Sequence, residues 1–483
     1  LKKEALPQIA LAVIVAVSGL ATVIAVTAAF GFDEGVAVGL LSGGMTQSAA
    51  LGTGLSAIAD LPIAADSKAK LIANAPLADA ITYGFGDLGL IVFLTWLGPK
   101  VLRADLRSEA RELERKLSGG KKGAQVLPGV HYGFRAYRVE NANVANLTLA
   151  ALEERYAEAR MSVQRVQRGE ELLKLNPALE LKHGDRIVLS ARRMVFGNIE
   201  RDIGPEIDEP VLLSVPVKTV AVVVTNREVI GETIGELALD TRMRGVYLES
   251  LQRGTELMPR EAWTVVERGD ILHIVGAPDD VERAGRCAGF VERDLSRTDL
   301  MFLAVGICAG ILLGLIKLGT GGVVLGLGTA GSILVIGLGA GYVRGRYPAF
   351  GAIPEPAQRL LMDVGLIVFI AAVGLQAGPH AVEAYGTSRG SYFASVFIAG
   401  MIVTSVPLAV GAIAARYALK MSPLMILGGL AGAQTCTPGL TALREASGSN
   451  VGSLAYTVPY AIGNILLTVG GPVVVAVVHA MRG

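Results

Sequence analysis

The sequence predicts a polytopic α-helical membrane protein, an inverted repeat with two opposed re-entrant helical hairpins, and an inserted α/β cytoplasmic pair of small domains. Three observations predict it. Mean hydropathy is +0.50, with 52% hydrophobic and 18% charged residues over 483 positions, a balance typical of membrane-embedded chains. The apolar residues concentrate in two blocks, about 5–100 and about 298–481, around a charged middle. One apolar segment in each block carries a polar, helix-breaking centre: Gly43-Gly44-Met45-Thr46-Gln47-Ser48 and Gln434-Thr435-Cys436-Thr437-Pro438-Gly439.

A spanning helix needs roughly 20 apolar residues. On that criterion helices are expected near 7–30, 76–100, 299–317, 322–343, 361–378, 391–415 and 452–480. Segments 34–59 and 422–447 are read as hairpins. Glycine and proline at membrane depth leave backbone groups unpaired, which only protein or a water-filled cavity can receive. Orientation follows from basic residues: 100–122 holds eight Lys or Arg against four Asp or Glu and is placed in the cytoplasm, as is the loop with Arg344, Arg346 and Arg359. A hairpin at 34–59 then keeps Lys2 and Lys3 cytoplasmic, and the two hairpins enter from opposite faces.

Internal repeats support the same plan. A shift of 389 aligns Leu41-Ser42-Gly43 with Leu430-Ala431-Gly432, Thr46 with Thr435 and Ser48 with Thr437. A shift of 377 aligns Tyr83 with Tyr460, Gly86 with Gly463 and Asp87 with Asn464. The order of hairpin then helix is kept, as in the inverted repeats of secondary transporters. Completing the first half requires three further helices, roughly 100 residues, ahead of Leu1. In the middle, a constant shift of 85 aligns Val139 with Val224, Asn141 with Asn226, Thr148 with Thr233, Leu152 with Leu237, Arg168-Gly169 with Arg253-Gly254, and Gly184-Asp185 with Gly269-Asp270. Each copy reads as a βαβ-type unit. The expected boundaries are 1–103 and 294–483 for the membrane repeats, 104–122 for a charged linker, and 123–208 and 209–293 for the two small domains.

These two copies resemble the TrkA-C or RCK-C regulatory module of potassium-transport proteins, whose pattern ends in a Gly-Asp followed by a strand. Two such modules between membrane halves, with the two hairpin centres and Val373-Gly374-Leu375-Gln376-Ala377-Gly378-Pro379, resemble the aspartate:alanine exchanger family. The resemblance implies an electrogenic antiporter of amino acids or dicarboxylates, a homodimer in a bacterial inner membrane with its RCK-C-like modules in the cytoplasm. Those modules would bind a nucleotide or an ion, or only hold the dimer together. Departures exist, such as Ala49 where the second hairpin has Pro438.

Candidate site residues cluster at the hairpin tips. Half-helix N-termini direct N–H groups and partial positive charge at what lies between them, which suits a carboxylate. Thr46, Gln47, Ser48, Gln434, Thr435, Thr437 and Pro438 belong to these tips. Asp87 is a carboxylate inside an apolar segment, where charge costs on the order of 2.5–3.5 kcal/mol. It either serves the site or pairs near a helix end. Asn464 can hydrogen-bond a zwitterion without repelling its carboxylates. Arg444 either grips a substrate carboxylate or forms an interfacial pair with Glu445. Gln376 is a further candidate, and His380 beside it reads as interfacial.

Several readings are set aside. Thr82-Tyr83-Gly84-Phe85-Gly86-Asp87 is similar to a potassium-channel filter, but too few apolar residues follow it for an inner helix, and its partner Pro459-Tyr460-Ala461-Ile462-Gly463-Asn464 lacks the pattern. It is taken as a polar interruption in a transport helix. An RCK-regulated potassium channel or transporter is the alternative function. Gly326-x-Gly328-x-x-Gly331 lacks the strand context of a dinucleotide site, and Asn146-Leu147-Thr148 would be a cytoplasmic sequon. Interleaved charges with a net of +1 argue against nucleic acid, and the three cysteines lie apart without metal spacing. With no nucleophile–base pair in the membrane blocks, no enzyme activity and no cofactor are expected. The partners expected are the bilayer and a small anionic or zwitterionic substrate, carried by alternating access.

Overall fold

The computed structural model describes residues 2–117, 132–156, 161–192, 196–254, 256–292, 299–316, 318–320, 323–325, 328–347, scattered positions between 351 and 375, and 390–482. Two compact units emerge: Leu1–Lys116 with Leu295–Gly483, and Leu117–Asp294.

The first unit is helical. Its main helices are α1 (Lys2–Phe30), α2 (Glu34–Gly44), α3 (Ser48–Ala59), α4 (Ala65–Val92), α5 (Leu300–Gly314), α6 (Gly328–Arg346), α7 (Ser391–Tyr417), α8 (Pro423–Ala433), α9 (Thr437–Ser447) and α10 (Thr457–Arg482), with shorter helical pieces at Gly98–Leu102, Leu106–Leu117 and Val451–Ala455. Among the described residues, Ala5–Phe30, Ala65–Leu102, Ser391–Tyr417 and Thr457–Arg482 are long and apolar enough to cross a membrane.

Three expectations need correction. Helix α4 begins at Ala65 rather than 76, because Asp66, Lys68 and Lys70 form its first turns; Lys68 donates to the Ala59 carbonyl at 2.8 Å. Residues 82–87 do not interrupt it, and the irregularity is a π turn at Phe93–Leu97. Pro99 follows that turn and has no N–H to give the Thr95 carbonyl four residues back. Helix α6 begins at Gly328 rather than 322, after a small antiparallel ladder of Leu318–Thr320 with Val323–Leu325, where β-branched valines stand among glycines. The expected helix 361–378 falls on scattered positions, and Gln376 and His380 lie outside the described residues.

Helices α2 and α3 fold back on each other: a Cβ on Gly54 would lie 2.4 Å from Val38 Cγ1. Leu424 of α8 and Leu443 of α9 likewise approach one point, 3.8 and 3.4 Å from where a Cβ on Gly452 would stand. Each first arm then packs through glycines on backbone of its own block: on α4 in the first, and on the residues just ahead of α10 in the second. A Cβ on Gly39 would lie 2.3 Å from the Ala75 carbonyl, and on Gly43 2.7 Å from that of Asp79. At the matching positions, Gly428 faces the Gly452 carbonyl at 2.1 Å and Gly432 that of Tyr456 at 2.3 Å. Only hydrogen fits at such a seam, so the backbones touch.

The second unit holds two copies of one sheet. Strands β1 (Tyr132–Arg138), β2 (Ser162–Arg168), β3 (Glu171–Leu173), β4 (Arg186–Arg192) and β5 (Glu206–Ile207) are ordered β3-β2-β4-β1-β5. Strands β6 (Lys218–Val224), β7 (Val246–Arg253), β8 (Glu256–Leu257), β9 (Ile271–Gly276) and β10 (Gly289–Glu292) repeat that order. Every ladder is antiparallel. The βαβ expectation is thereby refined: β4 inserts between β1 and β2, which run parallel without pairing. Bulges fall at matching places, between Val163 and Arg165 and between Leu248 and Ser250.

Buried Asp185 and Asp270 explain the Gly-Asp signature. Asp185 accepts from Arg168 through both guanidinium nitrogens, at 2.9 and 2.8 Å, and from the Lys182 N–H at 2.8 Å. Asp270 does the same with Arg253, at 2.8 and 2.8 Å, and with the Glu267 N–H at 2.8 Å. Each carboxylate closes the loop ahead of its last long strand with charge-assisted bonds. The copies meet through Arg244 on Glu153 at 2.5 Å and Tyr247 on Ser190 at 2.9 Å.

Candidate functional site

The two hairpin turns have the same backbone wiring. In the first, the N–H groups of Met45, Thr46 and Gln47 donate to the carbonyls of Leu41, Gly43 and Ser42 at 3.1, 3.3 and 2.8 Å. In the second, those of Gln434, Thr435 and Cys436 donate to Leu430, Gly432 and Ala431 at 3.1, 2.8 and 3.0 Å. Thr46 and Thr435 both adopt left-handed backbone, with φ of 53° and 56°, which β-branched residues rarely take. New helices, α3 and α9, leave directly from these turns.

The turns touch each other. The Thr46 hydroxyl donates to the Gln434 carbonyl at 2.5 Å, and the Thr435 hydroxyl donates to the Thr46 carbonyl at 3.1 Å. Gln434 is fully buried; its Nε2 reaches the Thr404 carbonyl at 3.3 Å and Met45 Sδ at 3.8 Å, while its Oε1 has no hydrogen-bond partner among the described residues. A buried acceptor left open in this way costs about 1–3 kcal/mol. Thr404 of α7 seals the first turn from the side by donating to the Gly44 carbonyl at 2.8 Å.

Each turn also reaches the long helix of the opposite block. Gln47 Nε2 donates to Asn464 Oδ1 on α10 at 2.7 Å. Cys436 Sγ donates to Asp87 Oδ1 on α4 at 3.3 Å, and the same sulfur accepts the Gly439 N–H at 3.3 Å. Gln47 and Cys436 are equivalent under the 389 shift, and Asn464 and Asp87 under the 377 shift, so the two contacts are one contact made twice and crosswise. Contacts within a block complete the shell: Ser42 with Asp79 at 2.6 Å, and Thr437 with Tyr456 at 3.0 Å.

Of the residues singled out in the sequence, Thr46, Gln47, Asp87, Gln434, Thr435 and Asn464 converge at the tips. Ser48 and the Thr437-Pro438 pair begin α3 and α9 beside them. Arg444 is not among the convergent residues; it sits near the far end of α9 and donates to Ser453 Oγ at 2.9 Å. Cys436, Asp79, Tyr456 and Thr404 were missed. Cys436 could have been found from the 389 shift, since it opposes Gln47; Asp79 and Tyr456 oppose only each other under the 377 shift, so neither pointed to the other. Among the described residues no group of three His, Cys, Asp or Glu could hold a metal ion. The arrangement offers hydroxyls, amides, a carboxylate and half-helix termini, donors and acceptors of the kind that small polar molecules can hydrogen-bond.

Residues 1–99 and 302–476 match the family described as a predicted permease membrane region, and residues 219–286 match the TrkA-C domain. The chain is 46% identical to an uncharacterized transporter of Bordetella bronchiseptica, over 100% of this chain and 85% of that protein. It is 36% identical to one from Bradyrhizobium diazoefficiens, over 99% and 84%. It is 33% identical to one from Shewanella oneidensis, over 98% and 84%. No solved structure matches. With its permease region split around a TrkA-C domain, the chain belongs to the aspartate:alanine exchanger family of transporters.

Proposed function

We propose that the chain is a secondary active antiporter that exchanges amino acids or dicarboxylates by alternating access, in a bacterial inner membrane and as a homodimer. The observation that carries the reading is the meeting of two equivalently wired hairpin turns, each bonded to the long helix of the other block. A substrate carboxylate entering between the turns would replace the hydroxyl–carbonyl bonds of Thr46 and Thr435 and meet the starts of α3 and α9. Asp87 and the open Oε1 of Gln434 would receive an ammonium group. On this reading the hairpins are re-entrant, the blocks form an inverted repeat, and the α/β unit is cytoplasmic and binds a nucleotide or ion or holds the dimer.

The filter-like stretch that motivates the channel alternative lies in α4. Residues 82–87 are regular α-helix, so their carbonyls serve helix bonds rather than facing a dehydrated ion. The deciding experiment is counterflow in proteoliposomes loaded with aspartate, alanine or succinate, following labelled aspartate or succinate. Uptake that requires internal substrate is expected; potassium flux without any organic counter-substrate would sink the antiport reading.

A further inference from the structure

The crosswise contacts carry a further inference, which rests on the exchange reading above. We propose that Gln47 and Cys436 are positioning residues of two gates: Gln47 with Asn464 closes the site toward one face of the membrane, and Cys436 with Asp87 closes it toward the other.

Three features support this. The two contacts are equivalent by both sequence shifts, so whatever one does at its side the other does at its own. Each joins a turn to a helix of the opposite block, which makes it a contact that a withdrawing hairpin must break. The turns are also bonded to each other through Thr46 and Thr435, so they share one seat between them. When either turn leaves that seat, the remaining contact is what keeps the site closed on its own side. Breaking both at once would open a continuous path and abolish coupling between inward and outward movement.

The chemistry of the two gates differs: a neutral amide pair on one side, a thiol and a carboxylate on the other. That difference provides a native reporter. The chain has three cysteines, and Cys287→Ser with Cys308→Ser leaves Cys436 as the sole thiol. The full chain, reconstituted in vesicles of known orientation, is treated with a membrane-impermeant maleimide from either face. Cys436 is expected to react from one face. With Cys436→Ser and Gln47→Cys, the introduced thiol is expected to react from the opposite face. Reaction of both thiols from the same face overturns the proposal, and this readout needs no substrate. It therefore separates failure of the gates from failure of the antiport reading, which counterflow reports.

A second measurement asks about coupling. Gln47→Ala or Cys436→Ala alone, at the tip side of each contact, should leave substrate efflux dependent on counter-substrate. The two together should raise efflux without counter-substrate by about tenfold over either single variant, because closed and open gates are coupled through one shared seat. Gln47→Leu with Cys436→Val, which keep apolar bulk but make neither bond, should leak equally. Tight exchange in either double variant, or an equal leak in the single variants, would overturn the assignment.

Discussion

Both units of the molecule are built by duplication, and they have kept different things. In the α/β unit the paired positions keep residue and role together: Arg168–Asp185 and Arg253–Asp270 make the same bonds to within 0.1 Å. In the helical unit the paired turns keep their backbone bonds and glycine seams, whereas the side chains at the tips diverge: Gln47 against Cys436, Asn464 against Asp87, Tyr456 against Asp79. A latch that only holds a loop shut has one good solution. On the proposed exchange reading, a surface that admits a foreign molecule from two directions has room to differ on its two sides.

That contrast can be broken or sharpened. The largest effect is expected at the seams, where Gly43→Val and Gly432→Val would push a side chain into the carbonyls of Asp79 and Tyr456. Both should fail to yield monodisperse protein on size exclusion; if one folds, the seams are not equivalent.

Next come the carboxylate latches. Removing one partner of a buried ion pair costs about 3 kcal/mol or more. Arg253 is more enclosed than Arg168, with side-chain exposures of 16% and 33%, so Asp270→Ala should lower the melting temperature of the full chain more than Asp185→Ala. The reverse order would mean that the copies differ in something other than burial.

At the tips, Asn464→Asp makes the second block resemble the first and adds a charge at the proposed substrate site. Apparent affinity for a dianionic substrate in counterflow should fall roughly tenfold, equivalent to about 1.4 kcal/mol, with a smaller loss for alanine. Equal losses for both would remove position 464 from the charged part of the site.

The smallest effect separates the two α/β copies. Helix Leu149–Arg155 is capped by Thr148 alone, whereas Ile234–Leu239, none of whose side chains is buried, relies on a capping box of Thr233 with Glu236. The Thr233 N–H and then its hydroxyl hold the Glu236 carboxyl below the usual range. A depressed folded value means the contribution is complete above the unfolded value and is lost as pH falls through the folded one. Protection factors for amide exchange in 234–239, corrected for the intrinsic pH dependence, should therefore fall on acidification before those in 149–155, and Glu236→Ala should remove the difference.

Much of this was legible in the sequence, for identifiable reasons. The turn positions announce themselves because Gly, Thr and Gln break an apolar run, and the α/β duplication is gap-free. Cys436 escaped because a thiol in an apolar segment reads as a small hydrophobe. The crosswise pairing escaped for another reason: which helix a turn meets is decided by packing between segments hundreds of positions apart. The start of α4 was misplaced because Lys68 and Lys70 look like a loop by hydropathy, yet they ride on helical turns.

The left-handed threonines at the tips set heat resistance against turnover. A β-branched residue held at φ near 55° costs on the order of 1–3 kcal/mol, and glycine would release it. Thr46→Gly should therefore give a protein that melts later but transports more slowly, since the hydroxyl that joins the two turns is gone. A Thr46→Gly protein that melts earlier would show that the hydroxyl outweighs the backbone. Selection for a sturdier protein and selection for a faster one would then pull the same codon in opposite directions.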